Sequence, residues 1–159
     1  MGFERLSDFL REHGVTSEVL SLSANTATVA DAANALGTTP DRIIKSVLVM
    51  AESTPVLVIT NGTARIDTKL LARHLGVSKN RVKLAKPATV LEITGFEVGG
   101  VPPFGHKQRI RTIIDERVLA LPEVYGGSGS HDSLLKVAPA EIVRVAEAQP
   151  VDFSEPSES

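Results

Sequence analysis

The sequence predicts a mixed α+β domain, and three observations carry that expectation. At 159 residues and 16.9 kDa the chain fits one compact domain, able to bury roughly 70% of its unfolded surface without covalent staples. Stretches with strand periodicity and stretches with helix periodicity are interleaved, but not in strict βαβ alternation. Aromatic residues are only 4% of the chain, so the core must be assembled from Val, Leu, Ile and Ala. No internal repeat is visible.

The elements follow in order. Phe3, Leu6, Phe9 and Leu10 fall at helical spacing, and Gly14 stops that helix. A short strand is expected over residues 18–22. Thr28 with Asp31 three residues on resembles a capping box, ahead of an apolar stripe (Val29, Ala32, Ala33, Leu36) that Gly37 ends. Thr39-Pro40-Asp41 reads as another helix start, with proline at the first helical position. Residues 43–50 and 56–60 are β-rich runs joined by Glu52-Ser53-Thr54-Pro55, most simply a hairpin, and Asn61-Gly62 marks the next turn. Asp67 can cap a helix from Thr68 to Leu75, closed by Gly76, and Ser78 can cap a short basic helix after it. Pro87 to Thr94 reads as one more helix, with Gly95 as its stop.

The second half is richer in glycine. A loop over 98–106 leads to a strand over 110–115. A brief β run at Val124 leads into the glycine-rich connection Tyr125-Gly126-Gly127-Ser128-Gly129-Ser130-His131. A last strand is expected over 134–138, and Pro139 opens a final helix to about Ala148. Residues 1–148 thus form the domain. Residues 149–159, rich in Pro, Ser and acids, read as a flexible tail.

Several function classes are excluded or disfavoured. The absence of Cys removes disulfides, thiolate metal sites and a cysteine nucleophile. The four histidines, His13, His74, His106 and His131, show no metal-ligand pairing, so no metal is expected. Neither a Walker A loop nor a GxGxxG fingerprint is present, and no cofactor is expected. No run of 18 apolar residues exists, and the N-terminus lacks a signal-peptide pattern. A cytoplasmic protein without membrane partners is the resulting expectation.

Net charge is −2, but its distribution is uneven. Between Asp67 and Glu92 there is no acidic residue, whereas Lys69, Arg73, Lys79, Arg81, Lys83 and Lys86 all lie there. Lys107, Arg109 and Arg111 follow. Such a one-sided basic face is either a solvated helical surface or a footprint for a phosphate backbone.

Three features can carry chemistry. Lys45 shares a strand face with Ile43, Val47 and Val49, while Ile44, Ser46, Leu48 and Met50 fall on the other. Both faces are apolar, so the strand reads as central and buried. Its lysine is either a fixed cation suited to a phosphate or developing oxyanion, or an edge-protecting residue whose stem snorkels to water. The loop holding Gly99, Gly100, Pro102, Pro103, Gly105 and His106 is stiff at its prolines and bare at its glycines, a backbone that ligands can approach closely. The connection from Tyr125 to His131 nearly matches a Gly-x-Ser-x-Gly elbow around Ser128. Its last position is Ser130, however, and a strand follows instead of a helix, which argues against a serine hydrolase.

Taken together, these stretches resemble the YbaK family and the insertion domain of bacterial prolyl-tRNA synthetases. The resemblance runs in order through Thr28 to Ala33 with Leu36-Gly37, then residues 44–49, Asp67 to Gly76, residues 99–105, Ile113-Ile114-Asp115 and Gly126-Gly127. It implies a mixed, partly barrel-like sheet flanked by helices. It also implies hydrolysis of the ester joining a wrong amino acid to the 3′ end of a tRNA, without metal or covalent nucleophile. In that reading Lys45 meets the terminal adenosine region, and Gly99 and Pro103 position the ester. Thr26, Ser46, Gly100, Pro102, Gly105, His106, Tyr125, Gly126, Gly127, Ser130 and His131 contact substrate. Lys69, Arg73, Lys79, Arg81, Lys83, Lys86 and Lys107 form the tRNA-binding surface.

Two residues depart from the cysteine-editing branch, Pro102 and Tyr125, where that branch has serines. They are expected in the amino-acid pocket and to bear on substrate identity. The leading expectation is a trans-editing hydrolase acting on tRNA(Pro) charged with Cys or Ala, with misacylated tRNA and an aminoacyl-tRNA synthetase as partners. The alternative is a module that binds the tRNA or nucleotide 3′ end without turnover.

Overall fold

The computed structural model describes residues 2–22, 28–62 and 66–152. Along the chain these form helix α1 (Gly2–Glu12), strand β1 (Ser17–Ser21), α2 (Val29–Leu36), β2 (Ile44–Ala51), β3 (Thr54–Asn61), α3 (Thr68–Leu75), β4 (Val82–Leu84) and α4 (Pro87–Thr94). The second half adds β5 (Arg111–Asp115), α5 (Glu116–Leu119), β6 (Val124–Gly127), β7 (Ser133–Val137), α6 (Pro139–Ala146) and β8 (Gln149–Val151).

Local chemistry accounts for most boundaries. The Thr28 hydroxyl accepts the Asp31 N–H to start α2, and Asp67 accepts from the Lys69 and Leu70 N–H groups to start α3. Gly37, Gly76 and Gly95 end their helices in the left-handed region, as expected of C-terminal glycines.

The strands make two sheets. The smaller is antiparallel, in the order β1-β7-β6, and the larger has the order β4-β2-β3-β5-β8. In the larger sheet β4, β2 and β3 are antiparallel, whereas β3, β5 and β8 are parallel. Among the described residues a single isolated bridge, Ile43 with Tyr125, joins the start of β2 to β6 and so links the sheets without closing a barrel. The main core lies between the sheets, built from residues such as Ile44, Leu48, Ile59, Ile114 and Leu135, with Leu6 and Phe104. On the opposite face of the larger sheet, Leu71 and Ala72 of α3 cover Val49, Val56, Val58 and Ile113.

Four sequence expectations are corrected. The helices expected at Pro40 and after Ser78 are single 3-10 turns, Pro40–Arg42 and Lys79–Arg81, and neither Thr39 nor Ser78 caps them. The Thr39 hydroxyl is instead taken by Asp41. Tyr125, Gly126 and Gly127 are strand residues of β6, paired with Lys136, Leu135 and Leu134, so the connecting loop begins only at Ser128. Gln149–Val151 form β8 beside β5 and belong to the domain, because the main-chain groups on that side of β5 find partners there. Helix α5 was not anticipated. Its cap is the fully buried Asp115, which accepts the Arg117 N–H and is also paired with the Arg117 guanidinium.

Candidate active site

Strand β2 is paired with β3 along its whole length, but on its other side β4 covers only Val49, Met50 and Ala51. At the far end Ile43 bridges Tyr125. Between these contacts, residues 45–47 have no ladder partner on that side among the described residues. A central strand therefore carries a short open edge. Lys45 sits on it and is exposed, although its neighbours Ile44, Leu48 and Val49 are buried. The two readings of Lys45 merge here, since the lysine reaches water as an edge lysine does, at an opening where two cavities meet.

Register decides what each cavity sees. Paired residues share a face, so Lys45 lies with Thr60 and Val47 with Val58, on the side covered by α3. Ser46 lies with Ile59, on the side of the main core. The first cavity, about 320 Å³, opens under the loop that follows α4. Lys45, Ser46 and Val47 form one wall, Leu84, Ala85 and Val90 a second, and Gly99, Val101 and Gly127 the third. The Ser46 hydroxyl oxygen is buried there without a hydrogen-bond partner.

The glycines explain how the loop comes so close. A Cβ on Gly127 would stand 2.4 Å from the Val101 carbonyl oxygen and 2.8 Å from that of Gly100. Backbone cannot yield as a flexible side chain can, so β6 passes beneath the loop only because residue 127 is glycine. The contact is fastened by the Gly129 N–H donating to the Gly100 carbonyl at 2.9 Å, while the Gly100 N–H donates to Glu97 at 3.0 Å. Gly99 has φ +94° and is exposed at the cavity rim, with nothing within 4 Å of where a Cβ would stand. The loop from Gly100 to Gly105 is otherwise buried.

The expected site residues separate into groups. Lys45, Ser46, Gly99 and Gly127 meet at the first cavity, while Gly100, Ser130 and His131 line a different one of about 250 Å³ behind the loop. His131 lies 3.5 Å from Glu97 there. Gly105 and His106 line a third hollow with Phe9 and Phe104. The His106 ring meets Phe96 edge-on, and its Nε2 is 2.7 Å from the Pro102 carbonyl. Burial holds the His106 pKa below its ordinary value, against the opposing effect of that hydrogen bond. A neutral His106 with Nε2 protonated is thus a donor that pins the loop from behind.

Pro102 and Pro103 are buried, and Pro103 packs 3.6 Å from the Cβ position of Gly126. Tyr125 packs with Ile43 and Ala33 at α2. Neither Pro102 nor Tyr125, both expected in the amino-acid pocket, is among the residues lining the first cavity: Tyr125, earlier along β6 than Gly127, packs toward α2, and the Pro102 carbonyl is held by His106. Thr26 lies outside the described residues. The Ser128 hydroxyl is fully buried and bonded to Ser133, and that of Ser130 to Asp132, so the nucleophile-elbow pattern has a structural use.

The cations of the basic run are exposed on α3, the 3-10 turn, β4 and the cap of α4, with Arg81 paired to Glu52 at 3.0 Å. Lys107 stands apart, beside Gly95. Sequence reasoning missed the apolar wall. Leu84 and Val98, 69% and 54% exposed, stand at the cavity mouth. The apolar pair Leu84-Ala85 between Lys83 and Lys86 was the available signal.

The chain is similar to known proteins over most of its length. The model of the aminoacyl-tRNA editing domain matches residues 23–145. The Bacillus subtilis protein YwhH is 32% identical over 127 residues, 79% of each chain. The multifunctional Ser/Thr-tRNA deacylase ProXp-y of Escherichia coli is 30% identical over 99 residues, 62% of this chain and 58% of that one. A solved structure assigned as a trans-editing enzyme for prolyl tRNA synthetase superposes with a TM-score of 0.90 at 32% identity, covering 98% of both chains. The chain also matches proline–tRNA ligases, spanning about 20% of the length of one from Thermoanaerobacter.

Proposed function

Because the chain belongs to the aminoacyl-tRNA editing domain family, we propose that it removes Cys or Ala from mischarged tRNA(Pro), acting in trans on tRNA supplied by a proline–tRNA ligase. It is an aminoacyl-tRNA deacylase. The observation that carries the specific reading is the cavity at the open edge of β2, where Lys45, Ser46 and Gly99 converge on an otherwise apolar hollow.

In the reaction a water oxygen attacks the ester carbonyl carbon, the bond to the ribose oxygen breaks, and that oxygen takes a proton. An aminoacyl ester is already activated, so positioning and charge stabilisation suffice. The Lys45 ammonium anchors the phosphate of the tRNA end and favours negative charge near the ester. The loop at Gly99 brings main chain against the ester, and a tRNA hydroxyl orients the water. Val47, Leu48, Ala85, Val90 and Val101 offer a small side chain apolar contact without a charged partner.

One observation favours a second substrate. The unpartnered Ser46 hydroxyl can pair with a hydroxylated side chain, and a relative is named for Ser- and Thr-tRNA. A panel of Cys-, Ala-, Ser- and Thr-tRNA esters, offered to the wild type and to Lys45→Ala, tests both readings. Release of Cys or Ala, with the variant slowed about a hundredfold, is expected. Preferential release of Ser or Thr selects the second substrate. A wild type that binds tRNA yet leaves every ester intact marks a 3′-end binding module instead, and a fully active variant removes Lys45 from the mechanism.

A further inference from the structure

The open edge of β2 offers main-chain groups, and their direction follows from the bonds on either side of the strand. Each residue of a strand turns its N–H and its C=O to the same neighbour, and successive residues alternate between neighbours. Toward β4, the Leu48 carbonyl accepts the Ala85 N–H at 3.0 Å, and the Glu52 N–H donates to the Arg81 carbonyl at 2.8 Å. Toward β3, the Ile43 carbonyl accepts the Gly62 N–H, and Pro55, with no N–H to give, stands opposite Met50. Odd-numbered residues of β2 therefore bond β3, and even-numbered ones face β4. Ser46 is the even-numbered residue of the uncovered stretch, so its N–H and C=O both point out over the open edge. Extended along β2, the register of β4 sets Pro87 opposite Ser46, but Pro87 has no N–H and opens α4 instead. No backbone group among the described residues takes its place.

We propose that the aminoacyl group adds to this edge as a strand one residue long: the Ser46 C=O accepts from its α-ammonium, and the Ser46 N–H donates to its ester carbonyl. The pairing rests on the deacylase reading for the identity of the ligand. An extended aminoacyl group turns its amine and its carbonyl to one side, and so matches the exchange of two bonds in a hydrogen-bonded antiparallel pair. The lining of the first cavity makes the main chain necessary. No carboxylate lines it among the described residues, and Lys45 adds a like charge, so the ammonium must meet a neutral oxygen. The carbonyls of Glu97 and Gly100 are already taken, by the N–H groups of Gly100 and Gly129. Paired residues share a face, so the amino acid's side chain falls on the Ser46 side, among Ile44, Leu48, Val90 and Val101. There it meets the unpartnered Ser46 hydroxyl. The pairing selects a free α-amine and the L configuration. A peptidyl ester has lost the ammonium, and a D enantiomer that holds both bonds cannot place its side chain on the Ser46 face. The Ser46 N–H also meets the negative charge that develops on the carbonyl oxygen as water attacks.

The test uses amide analogues that resist hydrolysis, so the pairing is measured whether or not the protein cleaves esters. 3′-Amino-3′-deoxyadenosine acylated with L-alanine, D-alanine or propanoic acid is titrated into isotope-labelled protein, and amide resonances are followed. The L-alanyl compound is expected to move the Ser46 amide most. The propanoyl compound, which lacks only the amine, is expected to bind about thirtyfold more weakly, and the D-alanyl compound about tenfold more weakly. Ser46→Ala keeps both main-chain groups, so its preference for alanyl over propanoyl is expected to equal that of the wild type. An L-alanyl compound that fails to bind or leaves the Ser46 amide unmoved would overturn the proposal. So would equal affinity for the L-alanyl compound and either of the others, or a Ser46→Ala variant without the preference, which would assign the amine to the hydroxyl. A protein that shows the preference yet leaves every tRNA ester intact supports the pairing and refutes only the deacylase reading.

Discussion

The two faces of β2 solve the same problem by different means. Each presents a hydroxyl buried without a partner, Ser46 on one side and Thr60 on the other, and each opens beside Lys45. On the Ser46 face the wall is backbone. The loop after α4 lies against β6 at a distance only glycine permits, and its position is fixed from behind by His106. On the Thr60 face the wall is made of side chains from β2, β3 and β4, and the surface around it is cationic. A wall of backbone fixes geometry closely, as an ester needs.

The contrast breaks most sharply at Gly127. Gly127→Ala forces a methyl into the Val101 carbonyl, and we expect deacylation to be lost together with about 3 kcal/mol of stability, measured by denaturant unfolding. tRNA binding over the cationic surface beside the Thr60 face should survive wherever the variant stays folded. If both faces fail together at temperatures where the variant is folded, the division between them is wrong.

A smaller effect is expected on the cationic side. Lys79→Glu with Lys83→Glu should weaken tRNA binding and flatten its salt dependence, by about 0.7 in log–log slope per lost single-strand phosphate contact. Deacylation of a minimal aminoacyl-adenosine should change far less. A loss that is equal for both substrates would mean that these lysines act on the Ser46 face after all.

The smallest effect concerns His106 and depends on pH. Its folded pKa is lowered by burial, so the unfolded chain binds its proton more readily. The stability it contributes is therefore complete above the unfolded value, near 6.5, and is lost as pH falls toward the folded one. Unfolding midpoints should drop on acidification through that window, deacylase activity should fall in parallel, and His106→Gln should flatten both profiles. An unchanged profile in the variant would show that the loop is not held through this ring.

Much of the frame was legible in the chain itself. The hairpin of β2 and β3, the capped helix α3 and the stops at Gly37, Gly76 and Gly95 are local events, written in a few adjacent residues. Lys45 stood out because a lysine in an apolar strand is costly unless it reaches water. The strand β8 was illegible, because Gln-Pro-Val has no strand signal of its own and is ordered by the neighbouring β5. The short helices failed because a proline start is local, whereas a helix's length is set by what packs on it.

By itself the sequence determined the α+β class, the residues that start and stop most elements, and the lysine and glycines that line the candidate site. Tertiary structure alone decided what those residues do. Whether Gly127 touches a ligand or lets one segment pass beneath another depends on what lies opposite it, and that neighbour, Val101, is 26 positions away. Lys45 is exposed in a central strand because β4 stops at Val49, and no local pattern around residue 45 encodes the length of a strand that begins at Val82.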